Sequence, residues 1–218
     1  MAPMKLLSWL RGLDSARRNR RYAPQVTAFE AALARLAPGD VAIDAGANVG
    51  KFTVMMARTG ATVHAFEPNS VAYAQLVAAV ADYPNVTTHH AALAPEAGEV
   101  KLFMHKRADE DPLLRSVSSS VVTDKSNIST DHYETVAGID IVQFIRGLGR
   151  PLRLLKMDVE GAEVALLNRL IDEGLHEDIE AAFVEVHDRR VRSLRAPTRA
   201  LRDRLRAVGA THFNLDWR

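Results

Sequence analysis

Apolar runs and polar breaks alternate along this chain at the spacing of strands and helices. Val41-Ala42-Ile43 is a short continuous apolar run closed by Asp44, the pattern of a strand buried on both faces. A helix is predicted over 51–59, then a strand over 62–66 that ends at Glu67. Pro68 and Asn69 lead into a helix of about 70–81, and a strand follows over 86–90. Residues 99–105 alternate and read as a strand, with Gly98 as its turn. The stretch 109–112 is a polar loop, and the Ser/Val-rich run 116–123 reads as strand or loop. A helix over 140–148 stops at Gly149-Arg150-Pro151, and a strand over 152–157 ends at Asp158. A helix over 162–173 is closed by Gly174, and a strand over 181–186 ends at His187. A helix over 197–208 stops at Gly209, and 211–217 is the last strand. Before all of these, Leu6, Leu7, Leu10 and Leu13 recur at helical spacing beside Trp9. Pro24 separates them from a helix of about 26–36 that stops at Pro38-Gly39.

Strands that alternate with helices imply an α/β fold, with a mainly parallel central sheet flanked by helices on both faces. Residues 39–218 then form one domain, and 1–38 an N-terminal helical appendage. A surface-lying amphipathic helix in the appendage would suit contact with a membrane surface, although packing on the domain is the commoner outcome.

Composition narrows the choices further. The 218 residues suffice for one ordinary core, and 47% of them are hydrophobic. Cysteine is absent, which excludes a disulfide framework, a thiolate metal site and a cysteine nucleophile. No apolar run reaches the length of a membrane span, and 1–13 is too broken by charge for a signal peptide. The expected location is the cytoplasm. The formal net charge is +1, so no global field draws the chain to nucleic acid. Arginines are nevertheless clustered, at Arg17, Arg18, Arg20 and Arg21, and from Arg189 to Arg206. They suit either an anionic partner or a solvated helix face. No aromatic residues that could stack on bases are interleaved with them, so nucleic acid is not the expected partner.

Chemistry enters at the end of the first strand. Asp44-Ala45-Gly46-Ala47-Asn48-Val49-Gly50 joins a strand to a helix, and an acid, Glu67, ends the next strand. This is the outline of a mononucleotide cradle, in which glycines admit a ligand close to the backbone and the acid accepts hydrogen bonds from a ribose. A dinucleotide fingerprint would be G-x-G-x-x-G. Here the glycines fall as Gly46-x-x-x-Gly50 after an acid. Asp44 would repel a pyrophosphate but suits an ammonium or sulfonium group, and S-adenosylmethionine carries both as well as a ribose. The candidate cofactor-binding residues are Asp44, Gly46, Ala47, Asn48, Gly50, Glu67, Pro68 and Asn69, with Asp44 meeting the ammonium directly or through water.

A second constellation lies in Leu154-Leu-Lys-Met-Asp-Val-Glu-Gly-Ala-Glu163 and Phe183-Val-Glu-Val-His-Asp188. Ligands of open α/β sheets bind beyond the carboxyl ends of the strands. Lys156, Asp158 and Glu160 would share one face if the strand ran on that far. A lysine between apolar residues needs a partner, and a Lys156–Glu160 ion pair supporting the loop is one reading. Glu185 and His187 would share a face at the next strand end. The candidate catalytic residues are His187, Asp158, Glu185 and Lys156, with His187 as first choice of general base and Asp158 as second. Asp158, Glu185 and His187 could instead make an O/N metal site. One sequence does not separate base from ligand, so a divalent metal stays open and none is assigned.

These residues resemble the FkbM family of S-adenosylmethionine-dependent methyltransferases. The matching pieces are Ile43-Asp-Ala-Gly-Ala-Asn-Val-Gly50, Ala65-Phe-Glu-Pro68, Ala91-Ala-Leu93 with Gly98, Ser118-Ser-Ser120, Leu155-Lys-Met-Asp-Val-Glu-Gly-Ala-Glu163 and Val184-Glu-Val-His187. The resemblance spans about 40–190. It implies a Rossmann-like class I methyltransferase fold and O-methylation of a hydroxyl on a sugar, polysaccharide or secondary-metabolite acceptor. Two departures stand out. Where the family often has Thr-Leu-Asp, this chain has Gly138-Ile-Asp140. The general fold also ends in a strand hairpin, of which one arm is visible here. The rival readings are a nicotinamide-dependent oxidoreductase, a nucleic-acid methyltransferase using the C-terminal arginines, and a non-catalytic S-adenosylmethionine-binding protein. The acceptor and the oligomeric state cannot be read from the sequence.

Overall fold

In the computed structural model the described residues are 16–105 and 128–217, with side chains described over 24–103 and 133–217. The leucine repeat with Trp9, the polar loop 109–112, the run 116–123 and Ser118–Ser120 lie outside the described residues. The elements run α1 (Ala16–Leu33), β1 (Val41–Ala45), α2 (Lys51–Ala57), β2 (Thr62–Phe66), α3 (Ser70–Ala79), β3 (Val86–His89), β4 (Ala92–Ala94), β5 (Gly98–His105), β6 (Ile128–Asp140), α4 (Ile141–Gly147), β7 (Leu154–Met157), α5 (Glu163–Asp172), β8 (Ala182–Glu185), α6 (Arg195–Ala207) and β9 (Phe213–Trp217).

Six strands form one sheet in the order β3-β2-β1-β7-β8-β9, every pair parallel. This is a doubly wound, Rossmann-like α/β sheet. Alternation along the central strands sends successive side chains to opposite faces. Ile43, Leu155, Met157 and Val184 join one apolar cluster with Ile141, Leu166, Leu167 and Leu201 of α4, α5 and α6. Ala42, Val63, Leu154 and Phe183 join a second cluster with Phe29 of α1 and Met56 of α2. Both faces are therefore covered, which is why these strands read as unbroken apolar runs rather than alternating ones.

Three features differ from the sequence expectation. First, α1 runs through Pro24. Proline removes one helical hydrogen bond, yet Val26, Phe29 and Ala32 are buried against the sheet, and Phe29 packs on Phe52, Phe183 and Trp217. Second, β4 and the thirteen-residue β6 were not anticipated; with β5 they build a separate small sheet in the order β4-β6-β5. Third, β9 joins β8 in parallel, so the described sheet ends on a parallel strand rather than a hairpin. Asp140, the part of the family string that this chain keeps, caps α4 by accepting from the N–H groups of Val142 and Gln143 at 2.8 and 3.0 Å.

Candidate active site

The strand order reverses between β1 and β7, since β1 leads to β2 on one side and pairs with β7 on the other. At such a switch point the loops after the two strands diverge and leave a crevice. Here they touch before they part. Gly46 has φ +74°, and a Cβ at that position would lie 1.8 Å from the Asp158 carbonyl oxygen, so no other residue fits the loop as built. Asn48 also takes a left-handed conformation, with φ 51°. Gly50, with φ 85°, starts α2.

A buried ionic brace lies under this loop. Asp44 and Lys156 are directly opposed across the β1–β7 pair. Their charged groups are 3.1 Å apart at 0% and 3% side-chain exposure. Thr53 donates to the other Asp44 oxygen at 2.7 Å, and Lys156 donates to the Gly46 carbonyl at 2.6 Å. Burial disfavours the ammonium, but Asp44, helped by Asp158 and Glu67, holds Lys156 above its usual value. The lysine thus ties the end of β1 to the first residue of the glycine loop.

Glu67 ends β2 and is buried. Its two oxygens accept from the Asn48 N–H at 2.7 Å and the Asn69 N–H at 2.8 Å. Burial pushes its carboxyl up to about 7, against the pull of those two N–H groups and of Lys156. Asn69 caps α3, accepting from Val71 and Ala72 at 3.1 and 3.0 Å. Together these elements wall one pocket. Gly46, Asn48, Glu67, Pro68 and Asn69 form one side; Ala91, Ala92, Leu93 and Leu102 an apolar side; Asp158, Val159, Glu160 and Ala162 the third.

Beyond Asp158 a second group of side chains gathers on one histidine. His187 is 2% exposed. Its Nδ1 lies 3.3 Å from Glu163 Oε1, which also accepts from the His187 backbone N–H at 2.8 Å. The other Glu163 oxygen accepts from the Gly161 N–H at 2.8 Å. His187 Nε2 lies 3.2 Å from Glu160 Oε2 and 3.6 Å from Asp158 Oδ1. Burial works against a charged imidazole, but the bond to Glu163 and the charges of Glu160 and Asp158 push it up to about 9. Glu163 is held below the usual carboxyl range by His187 despite its burial. Glu185, at the end of β8, is pushed up to about 7, first by burial and then by Asp158.

The sequence model of the methyltransferase FkbM domain matches residues 44–209. The chain belongs to this family. Membership makes it a methyltransferase, with S-adenosylmethionine implied as the methyl donor. No curated protein sequence matches it significantly. Two solved structures are similar in outline. One, from Clostridium thermocellum and provisionally described as an rRNA methylase, shares 10% identity with a TM-score of 0.46, over 82% of this chain and 78% of that one. The other, a TehB-like SAM-dependent methyltransferase from Corynebacterium glutamicum, shares 11% identity with a TM-score of 0.35, over 86% and 84% of the two chains. The fold of this FkbM-domain methyltransferase rests on its own strand order.

Set against that fold, the expected site residues divide into two groups. Gly46, Asn48, Glu67, Pro68, Asn69 and Asp158 line one pocket. Ala47 and Gly50 shape the loop without facing it. Asp44 is corrected: its carboxylate is fully buried and engaged by Lys156 and Thr53, so it does not meet an ammonium directly. Lys156 is corrected from catalytic candidate to brace, and its partner is Asp44 rather than Glu160, because β7 ends at Met157 and Lys156 turns toward α2. For the same reason Lys156, Asp158 and Glu160 do not share a face. Glu160, with φ 52°, folds back toward His187. His187 is corrected as first choice of base: it is buried and it does not line the pocket. Glu163 had no assigned role in the sequence; an acid at the first turn of a helix, three residues after Glu160, was the available clue.

Proposed function

We propose that this methyltransferase transfers a methyl group to a hydroxyl of a small-molecule or glycan acceptor, such as a sugar, polysaccharide or secondary-metabolite unit. The observation that carries the reading is the single pocket with Glu67 on one wall and Asp158 and Glu160 on another. The residues present fit S-adenosylmethionine. The Gly46–Gly50 loop admits a ligand close to the backbone. The Glu67 oxygens keep lone pairs beyond those taken by Asn48 and Asn69, enough to accept from ribose hydroxyls, and Ala91, Leu93 and Leu102 offer apolar cover for a base. When bound, S-adenosylmethionine supplies an electrophilic methyl on a positively charged sulfur.

The protein's part is positioning and proton removal. The Lys156–Asp44 brace fixes the glycine loop. Glu67 fixes the turn between β2 and α3 against the same loop. Asp158 borders the acceptor side of the pocket, where its carboxylate would accept the proton of the acceptor hydroxyl during methyl transfer. His187 positions Asp158 and Glu160 rather than touching the acceptor. A nucleic-acid acceptor is not favoured, since no aromatic residues that could stack on bases are interleaved with the C-terminal arginines. Incubation with methyl-labelled S-adenosylmethionine and a panel of hydroxylated sugars, polysaccharides and secondary metabolites tests the proposal. Label should appear as an alkali-stable methyl ether on one acceptor class and vanish with Asp158→Asn. Label appearing only on RNA or on an amine would refute it.

A further inference from the structure

We propose that Asp158, Glu160 and His187 bind one divalent cation of the Mg2+ or Mn2+ class beside the methyl-transfer pocket. The donor atoms of these three side chains lie within 4.8 Å of one another. An octahedral ion with bonds of about 2.1 Å sets neighbouring donors about 3 Å apart. His187 Nε2 stands 3.2 Å from the Glu160 oxygen and 3.6 Å from the Asp158 oxygen, so two of the three separations are near that spacing.

The second observation is the histidine itself. His187 is 2% exposed, and its Nε2 is buried without a hydrogen-bond partner, as is Asp158 Oδ1. A buried nitrogen and a buried oxygen 3.6 Å apart that do not bond each other call for a third group between them. The other ring nitrogen already meets Glu163 at 3.3 Å. A carboxylate behind a histidine is how metal-ligating imidazoles are oriented and made more basic. Two carboxylate oxygens and one imidazole form a mixed O/N donor set without a soft thiolate, one that Mn2+ accepts.

The sequence pairing of Asp158, Glu185 and His187 is thereby revised, with Glu160 in place of Glu185. Glu185 is left as the nearby carboxylate outside the shell. The ion's role rests on the methyl-transfer reading, although its binding does not. Asp158 and Glu160 line the pocket, so an acceptor hydroxyl on the ion's open side would be oriented and made more acidic.

The test is titration of the chelator-stripped full chain with Mn2+, followed by the loss of the free-ion electron paramagnetic resonance signal. S-adenosylhomocysteine binding is measured by calorimetry on the same preparations. One Mn2+ site is expected. Glu160→Gln and His187→Gln should weaken it more than tenfold, and Glu163→Gln, which touches no ion and lies outside the pocket lining, by about 10–100-fold, while the S-adenosylhomocysteine affinity of Glu163→Gln stays within about threefold of the original. Glu160 is partly exposed, so if His187→Gln fails to fold, Glu160→Gln decides. Absence of a Mn2+ site, or equal Mn2+ affinity in the original chain and Glu160→Gln, would overturn the proposal. A Mn2+ site in a chain that ignores S-adenosylhomocysteine would keep the cation and remove the methyl-transfer reading instead.

Discussion

Replacing Lys156 by methionine separates a brace from a catalytic group. Methionine keeps most of the apolar stem but removes the ammonium, leaving Asp44 at 0% exposure with only the Thr53 hydroxyl at 2.7 Å. It also removes the 2.6 Å bond to the Gly46 carbonyl. Removing one partner of a buried ion pair destabilises by about 3–5 kcal/mol, because the remaining charge is left uncompensated. For a chain of this size that is a fall in Tm of about 6–20 °C. Urea and thermal unfolding measure it directly. The double variant Lys156→Met with Asp44→Asn should recover a large part of the loss, because the orphaned charge is gone. A Lys156→Met protein within about 1 kcal/mol of the original, or a double variant no better than the single one, would refute the brace.

Other expectations follow from the same geometry. Glu67→Ala should weaken S-adenosylhomocysteine binding by about 1–3 kcal/mol by calorimetry, the scale of hydrogen bonds to a charged group. Because Glu67 sits near 7 and ribose hydroxyls donate to its charged form, affinity should rise with pH through about 7, and Glu67→Gln should flatten that rise. The raised value has a matching effect on folding: the stability Glu67 contributes is fully present below about 4.5 and is lost as pH rises through about 7, which pH-dependent melting of the original chain and Glu67→Gln would show. Gly46→Ala should displace the loop from Asp158, lowering Tm and removing S-adenosylhomocysteine binding together; unchanged binding would refute the contact. Phe29→Ala should cost about 3–5 kcal/mol in urea unfolding, since its ring is fully buried against Phe183 and Trp217.

The parts of the fold that were legible in the sequence are those where local pattern and tertiary environment agree. Val41–Ala45 and Leu154–Met157 are buried on every residue, so their apolar runs announced strands. β6 was not legible because its register partners are distant or polar. It pairs Val136 with Val100 and Gly138 with both Gly98 and Ala92, and its own sequence, Ile128-Ser-Thr-Asp-His-Tyr-Glu, lacks an apolar face. Gly46, Glu67 and Asp158, which line one pocket, were legible as candidates because strand ends carry ligands in this kind of sheet. The Asp44–Lys156 pair was not, because it depends on a register between residues 112 positions apart (156 − 44). Two opposite charges in two buried strands were the one hint of it. His187 was placed at the correct strand end, but its burial under Glu163 is a tertiary fact with no local signature.

The central claim, that the pocket between the Gly46 loop, Glu67 and Asp158 holds S-adenosylmethionine, is tested most directly by calorimetric titration of the full chain with S-adenosylhomocysteine and, separately, with NADH. Saturable one-to-one binding of S-adenosylhomocysteine, weakened by Glu67→Ala, with no heat from NADH, is the predicted result. Tight binding of NADH with no response to S-adenosylhomocysteine would contradict it.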